Sequence, residues 1–472
     1  MPGTQIPDHI LTKLHRIAEL ARKAPQMVFL TLAHHIDVEF LRVAFHLTRK
    51  GGAAGVDGMT AAAYAENLEE NLSSLLNRFK SGAYRAPPVK RVHIPKADGK
   101  TRPIGIPTFE DKVLQRAVTM VLNAIYEQDF LQLSYGFRPR RSAHQALEAL
   151  WKILMDMGGG WVLDVDIKAF FDTLSPSHLR KFLDQRVVDG VLRRAIDKWL
   201  KAGVLEDGKV THPELGTPQG GVISPLLANI YLHEVLDRWF VRDVQPRLNG
   251  LAHLVRYADD LVIVFAEERD ARRVLEILPQ RFSKFGLTVH PEKTRLVAFG
   301  KPAAPAPQPE APRTEKRPKT FDLLGFTHYW ALSRKGRWAV FRKTALKRSL
   351  RCASVISTWC RKNRHARVRS QHGSLNDKLR GHYNYYGIQG NSRDIGSFRN
   401  HTLLTWKFWL NRREQHGQLT WPKYKRLLKR YPLLPARLPK RALQERSQDS
   451  GSRMREIRSS GSVGGPGQLR RQ

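Results

Sequence analysis

Cysteine is nearly absent: Cys352 and Cys360 are the two that occur in 472 residues. Two thiols cannot build a disulfide framework or a four-ligand zinc site between them, which points to a reducing compartment, most simply the cytoplasm. No apolar run reaches the roughly 20 residues a membrane-spanning helix needs, and Met1-Pro2-Gly3-Thr4 opens no signal peptide. Acidic residues are scarce beside basic ones, 43 Asp and Glu against 80 Lys and Arg, for a formal charge of +37. The shortage is uneven. Residues 331–472 hold 34 Lys and Arg against 6 Asp and Glu, a net +28, and residues 1–330 hold the remaining +9. Such an excess calls for a polyanionic partner, nucleic acid first and an anionic membrane surface second. At this length, with 41% hydrophobic residues, two or three domains with a sizeable core are expected.

Where acids do occur, they interrupt apolar runs. Asp259-Asp260 splits Leu254-Val255 from Leu261-Val262-Ile263-Val264-Phe265. Two β-branched runs on either side of a short break predict a tight hairpin with both carboxylates near its tip. The break lacks the Asn-Gly or Gly-Gly that favours such a turn, and a broken local rule marks functional sites. A solvated turn is the plain alternative; a hard cation such as Mg²⁺ is the chemical one. A second acidic strand is predicted at Trp161–Asp166, where alternation puts Asp164 and Asp166 on one face.

Other stretches carry the complementary charge. Val89–Lys96 and Thr101–Pro107 predict a hairpin displaying Lys96 and Arg102, suited to a triphosphate or merely exposed on an edge strand. Tyr135–Ser142 interleaves aromatics with arginines, as a nucleic-acid contact or a cationic loop would. Gln219 lies among glycines in Leu215–Gly221, before a helix that Ser224-Pro225 is expected to cap and start. Helices are expected over 8–50, with Leu11, Leu14, Ile17 and Leu20-Ala21 on the buried face, and over 60–80, most of 108–157, 267–285, 344–365 and 374–387. Residues 301–319 read as a flexible Pro-rich loop, and the Arg-, Ser- and Gly-rich end as a disordered tail.

Three acids on two strands, a basic hairpin and a glycine-framed glutamine fit nucleotidyl transfer by two metal ions. In that order the chain resembles the reverse transcriptase/maturase proteins encoded by bacterial group II introns. The matching stretches are Gly55–Gly58, Ile94–Pro107, Asp164–Asp172, Gly216–Asn229, Tyr257–Asp260, His290–Thr294 and Leu324–Phe326, with Leu379–Gly387 like the maturase segment. The resemblance implies an α+β right hand with an antiparallel palm sheet, followed by a helical thumb. Its parts would be an N-terminal helical extension at 1–40, fingers at 41–160, a palm at 161–325, a thumb/maturase domain at 326–435 and a basic tail at 436–472.

By the same resemblance, Asp166, Asp259 and Asp260 would hold two Mg²⁺, with Mn²⁺ as a substitute and Asp164 in support. Lys96, Arg102, Gln219, Gly220 and Lys293 would meet the nucleotide, and Phe171 would exclude its 2′-hydroxyl. Gly325, Arg380, Tyr383 and Tyr385 would touch primer or RNA. The implied partners are intron RNA, an RNA template with its DNA primer, dNTPs and target DNA. Relatives that end in a zinc-dependent endonuclease carry paired cysteines and histidines; none stand beyond residue 430 here, so neither zinc nor that route of DNA cleavage is expected. A splicing-only RNA-binding maturase and a retron- or defence-type reverse transcriptase are the alternatives.

Overall fold

The computed structural model describes residues 6–95, 101–206, 208–211, 220–302, 319–413 and 419–437. Lys96, Gln219, most of the 301–319 loop and nearly all of the basic tail lie outside the described residues. The chain divides into two compact units, Met1–Ala303 and Ala304–Gln472.

The strands among the described residues are β1 Val89–Pro95, β2 Thr101–Ile106, β3 Trp161–Val165, β4 Val204–Glu206, β5 Lys209–Thr211, β6 Ala252–Tyr257, β7 Asp260–Phe265, β8 Arg295–Ala298, β9 Phe321–Leu323, β10 Phe326–Leu332 and β11 Trp338–Thr344. Unit 1 holds two four-stranded sheets. The first, in the order β2-β1-β4-β5, contains the expected basic hairpin, with Ile94 opposite Arg102. A parallel pairing of Val89 with Val204 extends it, joining residues too distant in sequence for local patterning to reveal. The second sheet, β6-β7-β3-β8, is antiparallel throughout. Its interior residues Val162, Leu163, Ile263 and Val264 are fully buried, as continuous apolar runs require.

Helices cover these sheets, with boundaries set by local chemistry. The expected 8–50 helix is two, Asp8–Lys23 and Val38–Leu47, because Pro25 halts the first and Asp37 caps the second by accepting from the Phe40 N–H. Ile10, Ile17 and Ala21 make the buried face of the first, while Leu20 is exposed. The 60–80 helix likewise breaks at Asn67 into Ala61–Glu66 and Leu68–Ser81. Phe109–Asp129 and Ala143–Asp156 are capped by Thr108 and Ser142. Helix Ser224–Leu232 begins with Pro225 in its first turn, as expected, but Ile223 takes the cap position and Ser224 is its buried first residue. Leu227, Ile230, Tyr231 and Val235 are buried as expected. Past Leu232 the chain widens into π-helical turns at His233–Asp237 and Phe240–Val244.

Unit 2 opens with a three-stranded antiparallel sheet, β11-β10-β9, where the sequence led to helix alone. Helices Leu346–Lys362, Val368–Tyr386, Ser392–Asn411 and Trp421–Arg430 follow. Among the described residues no helix is long and apolar enough to cross a membrane.

Candidate active site

Sheet register brings the acids together. β3 and β7 pair Asp164 with Val262 and Val165 with Leu261, so the paired register ends one residue before Asp166 and one residue after Asp260. Tyr257 pairs with Asp260 across β6 and β7, leaving Ala258 and Asp259 as a two-residue turn. The hairpin tip is therefore where the sequence puts it, with Asp166 at the end of the neighbouring strand. Asp166 and Asp259 are half-buried and Asp260 is exposed. The backbone of Asp166 is pinned by the 290–294 segment: its carbonyl accepts from the His290 N–H at 2.8 Å, and its N–H donates to Thr294 Oγ1 at 3.3 Å. Lys293 reaches back to both Asp166 carboxylate oxygens at 3.4 and 3.5 Å, and Arg295 Nε donates to Asp164 at 3.2 Å. Both pairs are solvent-exposed and contribute little to stability; what they do is keep cations beside the acids.

The three carboxylates are adjacent through the backbone but not converged. Among the described residues no group of three or more His, Cys, Asp or Glu side chains is gathered closely enough to hold a metal ion. The donor chemistry fits a hard divalent cation, since all three are carboxylates at one end of one sheet. Bringing them onto such an ion needs side-chain rotation, with Lys293 released from Asp166.

Beneath the tip lies a polar network that sequence reasoning passed over. Ala258 takes a left-handed φ of 59°, costly for a residue with a Cβ. Arg256, fully buried, holds it there. Its Nη1 donates to the Ala258 carbonyl at 3.1 Å and to Asn229 Oδ1 at 3.0 Å, while Nε and Nη2 grip both oxygens of Asp237 at 2.8 and 2.5 Å. Asn229 in turn donates to the Gly136 carbonyl at 2.7 Å. A Cβ on Gly136 would lie 2.2 Å from the Ala258 nitrogen, so only glycine lets this loop back the turn. Burial pushes the His233 imidazole, a neighbour of Asp237, down to about 4, keeping it neutral near pH 7. Asn229, His233 and Asp237 recur every four residues along a largely apolar segment interrupted otherwise by Glu234, a signal that was present in the sequence.

The remaining expected residues divide. Arg102 is exposed on β2. Gly220, at φ 119°, passes so close to that hairpin that a Cβ would meet the Gly105 carbonyl oxygen at 2.4 Å. The loop before Ser224 is thus seated on the basic hairpin, and buried Gln115 fixes it by accepting from the Val222 N–H at 2.8 Å. Phe171 is half-buried in the short helix Phe170–Thr173, edge-on to Phe170. In the Tyr135–Ser142 loop, Arg138 is buried on Glu127 and on the carbonyls of Leu131 and Ser134, so it is structural. Phe137, 57% exposed, lies 6.4 Å from the Tyr257 ring and offers an aromatic surface beside the tip.

In unit 2, Leu324 and Gly325, at φ 50° and 81°, form the β9–β10 turn. Arg380 is exposed and paired with Asp377. Tyr385 donates to the Leu324 carbonyl at 2.8 Å. Tyr383 is buried with its hydroxyl on the Leu434 carbonyl, a packing role rather than a reachable RNA contact.

Residues 94–328 match the family model described as reverse transcriptase (RNA-dependent DNA polymerase). The chain is 37% identical over 257 residues to Protein YkfC of Escherichia coli (strain K12), covering 48% of this chain and 68% of that relative. It is also 37% identical over 235 residues to the group II intron-encoded protein LtrA of Lactococcus lactis subsp. cremoris, covering 48% of this chain but 38% of that protein. A third relative, nuclear intron maturase 2, mitochondrial, of Arabidopsis thaliana, is 31% identical over 175 residues, 29% of this chain and 24% of its own.

Proposed function

The chain belongs to the reverse transcriptase/maturase family encoded by group II introns, and from that premise we propose that it copies RNA into DNA and binds intron RNA to aid splicing and mobility. The observation that supports the polymerase half is the register of β3 against β7, whose last pair, Val165 with Leu261, adjoins Asp166 on one strand and Asp260 on the other. In this reading the three carboxylates hold two Mg²⁺, with Mn²⁺ able to substitute. Such a pair, when bound, activates the primer 3′-hydroxyl and neutralises the leaving pyrophosphate.

The chain's own residues supply the rest. Arg102 grips the triphosphate oxygens of a dNTP, a role the family resemblance also gives to Lys96. Lys293, a counter-ion of Asp166 in the free protein, is free to turn to phosphate once that carboxylate is engaged. Gly220 lies against the templating pair, a role the family resemblance also gives to Gln219, and Phe171 rejects a 2′-hydroxyl by bulk. Fingers, palm and thumb would follow the family's right hand. The basic second unit would grip RNA, with Arg380 and Tyr385 at the surface, Gly325 near the primer terminus, and target DNA as the destination.

Primer extension on an RNA template with Mg²⁺ tests this. The wild type should extend the primer, and Asp259→Ala should abolish extension while intron-RNA affinity stays intact. No wild-type product with RNA still tightly held would point instead to a splicing-only maturase. Phe171→Ala should admit ribonucleotides; unchanged sugar selection would remove the gate.

A further inference from the structure

Among the described residues five with side chains take left-handed backbone, and three of them stand around the acids: Ala258 before Asp259, Ala169 after Asp166, and Phe137 against Tyr257. Strain of this kind persists where the surroundings over-determine it, and it gathers at functional sites. Phe137 is the one that fold stability explains least. Its φ is 57° and its ring is large and apolar, yet the residue is 57% exposed.

The loop that carries it is firmly seated. The Tyr135 N–H donates to the Arg256 carbonyl and the Arg256 N–H to the Leu133 carbonyl, both at 2.9 Å, which fastens the loop to β6. Gly136 and Arg138, on either side of Phe137, are buried and hydrogen-bonded. The ring is thus held out between two anchors, 6.4 Å from the Tyr257 ring and inclined to it by 40°. Tyr257 is the residue from which the Ala258–Asp259 turn leaves β6.

Sheet order gives this aromatic pair a side. Tyr257 ends the edge strand β6 in the order β6-β7-β3-β8. Past Asp166 the chain runs the other way: Ile167 bridges to Val289 and the Lys168 N–H donates to the Thr288 carbonyl at 2.8 Å, ahead of Phe171. The two phenylalanines therefore flank the acids towards opposite edges of the sheet. Phosphoryl transfer needs two such flanks, because the attacking and leaving oxygens lie in line on opposite sides of the phosphorus. With Phe171 on the sugar of the dNTP, the β6 flank is left for the primer.

We propose that Phe137 and Tyr257 form a platform for the 3′-terminal nucleotide of the primer, with the deoxyribose packed on the exposed Phe137 ring. The proposal deepens the polymerase reading above and rests on it. A phenyl face accepts the C–H surface of a deoxyribose but offers a 2′-hydroxyl no partner, and covering an unpartnered hydroxyl is unfavourable. The platform therefore favours a primer that ends in DNA over one that ends in RNA, a selection separate from the choice of incoming nucleotide.

Equilibrium binding of the full-length chain to a primed RNA template, read by fluorescence anisotropy without dNTP, tests the platform apart from catalysis. The wild type should bind a primer with a deoxy terminus about tenfold tighter than the same primer ending in one ribonucleotide, the lower end of the cost of covering a hydroxyl. Phe137→Ala should bind the deoxy terminus more weakly and lose the distinction, and Phe137→Trp should keep it. A ribonucleotide placed well back from the primer end should be indifferent to all three proteins. Melting temperature should match the wild type in both variants, since most of the ring faces solvent. A distinction absent from the wild type or retained by Phe137→Ala would overturn the platform, as would a clear fall in the melting temperature of Phe137→Ala, which would show the ring packed within the protein. Primer extension is scored separately. Intact extension without the distinction removes the platform alone, and the distinction without extension removes the polymerase reading.

Discussion

The two hairpins β6–β7 and β9–β10 solve one problem in different ways. Each forces a residue with a side chain into the left-handed region, Ala258 at φ 59° and Leu324 at φ 50°. The first is held from below by a fully buried Arg256 clamped to Asp237. The second is held from the surface, by the Tyr385 hydroxyl on the Leu324 carbonyl and by the Ala345 N–H on the Gly325 carbonyl. A buried charged clamp is costly to break, because the surviving partner is stranded without water. A surface hydroxyl is not. The hairpin that carries the carboxylates is therefore the one whose shape is fixed most stiffly.

Breaking the clamp should have the largest effect. Arg256→Met leaves Asp237 buried and uncompensated, a loss of about 3–5 kcal/mol in urea unfolding, and extension should fail in whatever protein remains folded. Replacing Asp237 together with Arg256 by apolar residues should recover much of that loss. If the double variant is no more stable than the single one, the clamp is not the source of the cost.

Acidification sharpens the comparison next. Burial holds His233 at about 4 in unit 1, and His328 at about 3 and His382 at about 4 in unit 2. Each is depressed below its unfolded value near 6.5, so the unfolded chain binds protons first. Stability is then full above pH 6.5 and falls as pH drops towards 4, by up to about 1.4 kcal/mol per pH unit for each histidine. Unit 2 carries His328 and His382, while in unit 1 His233 is joined by His35, which burial also lowers, so both units should lose protection from hydrogen exchange over this range. A flat profile from pH 7 to 4.5 would show these groups to be solvated.

Smaller still are the turn substitutions. Ala258→Gly and Leu324→Gly each remove a left-handed penalty of about 1–2 kcal/mol, partly offset by the freedom glycine gains when unfolded. Both should be neutral to mildly stabilising; marked destabilisation of either would mean that its side chain packs. Tyr385→Phe should cost about 1 kcal/mol, the worth of one hydrogen bond.

These contrasts also explain what was legible beforehand. Asp259-Asp260 betrayed its hairpin because acids broke two apolar runs, and Asp164 and Asp166 followed from alternation along one strand. Arg256 stayed hidden because nothing local in the sequence shows its depth or its distant partner Asp237, and only the fold shows it to be a clamp. Tyr383 misled for the converse reason, since an aromatic in a basic stretch looks exposed until packing buries it. The Val89–Val204 pairing depends on contacts more than a hundred residues apart, beyond any local pattern. The β-sheet opening unit 2 was masked by the basic charge around it.

Mn²⁺ bound to the chain in complex with primer, RNA template and a dNTP, counted by electron paramagnetic resonance, goes straight to the convergence of Asp166, Asp259 and Asp260. We expect two ions per wild-type chain and a clear deficit in Asp259→Ala at unchanged RNA occupancy. Equal Mn²⁺ in both proteins would contradict the metal site at this hairpin.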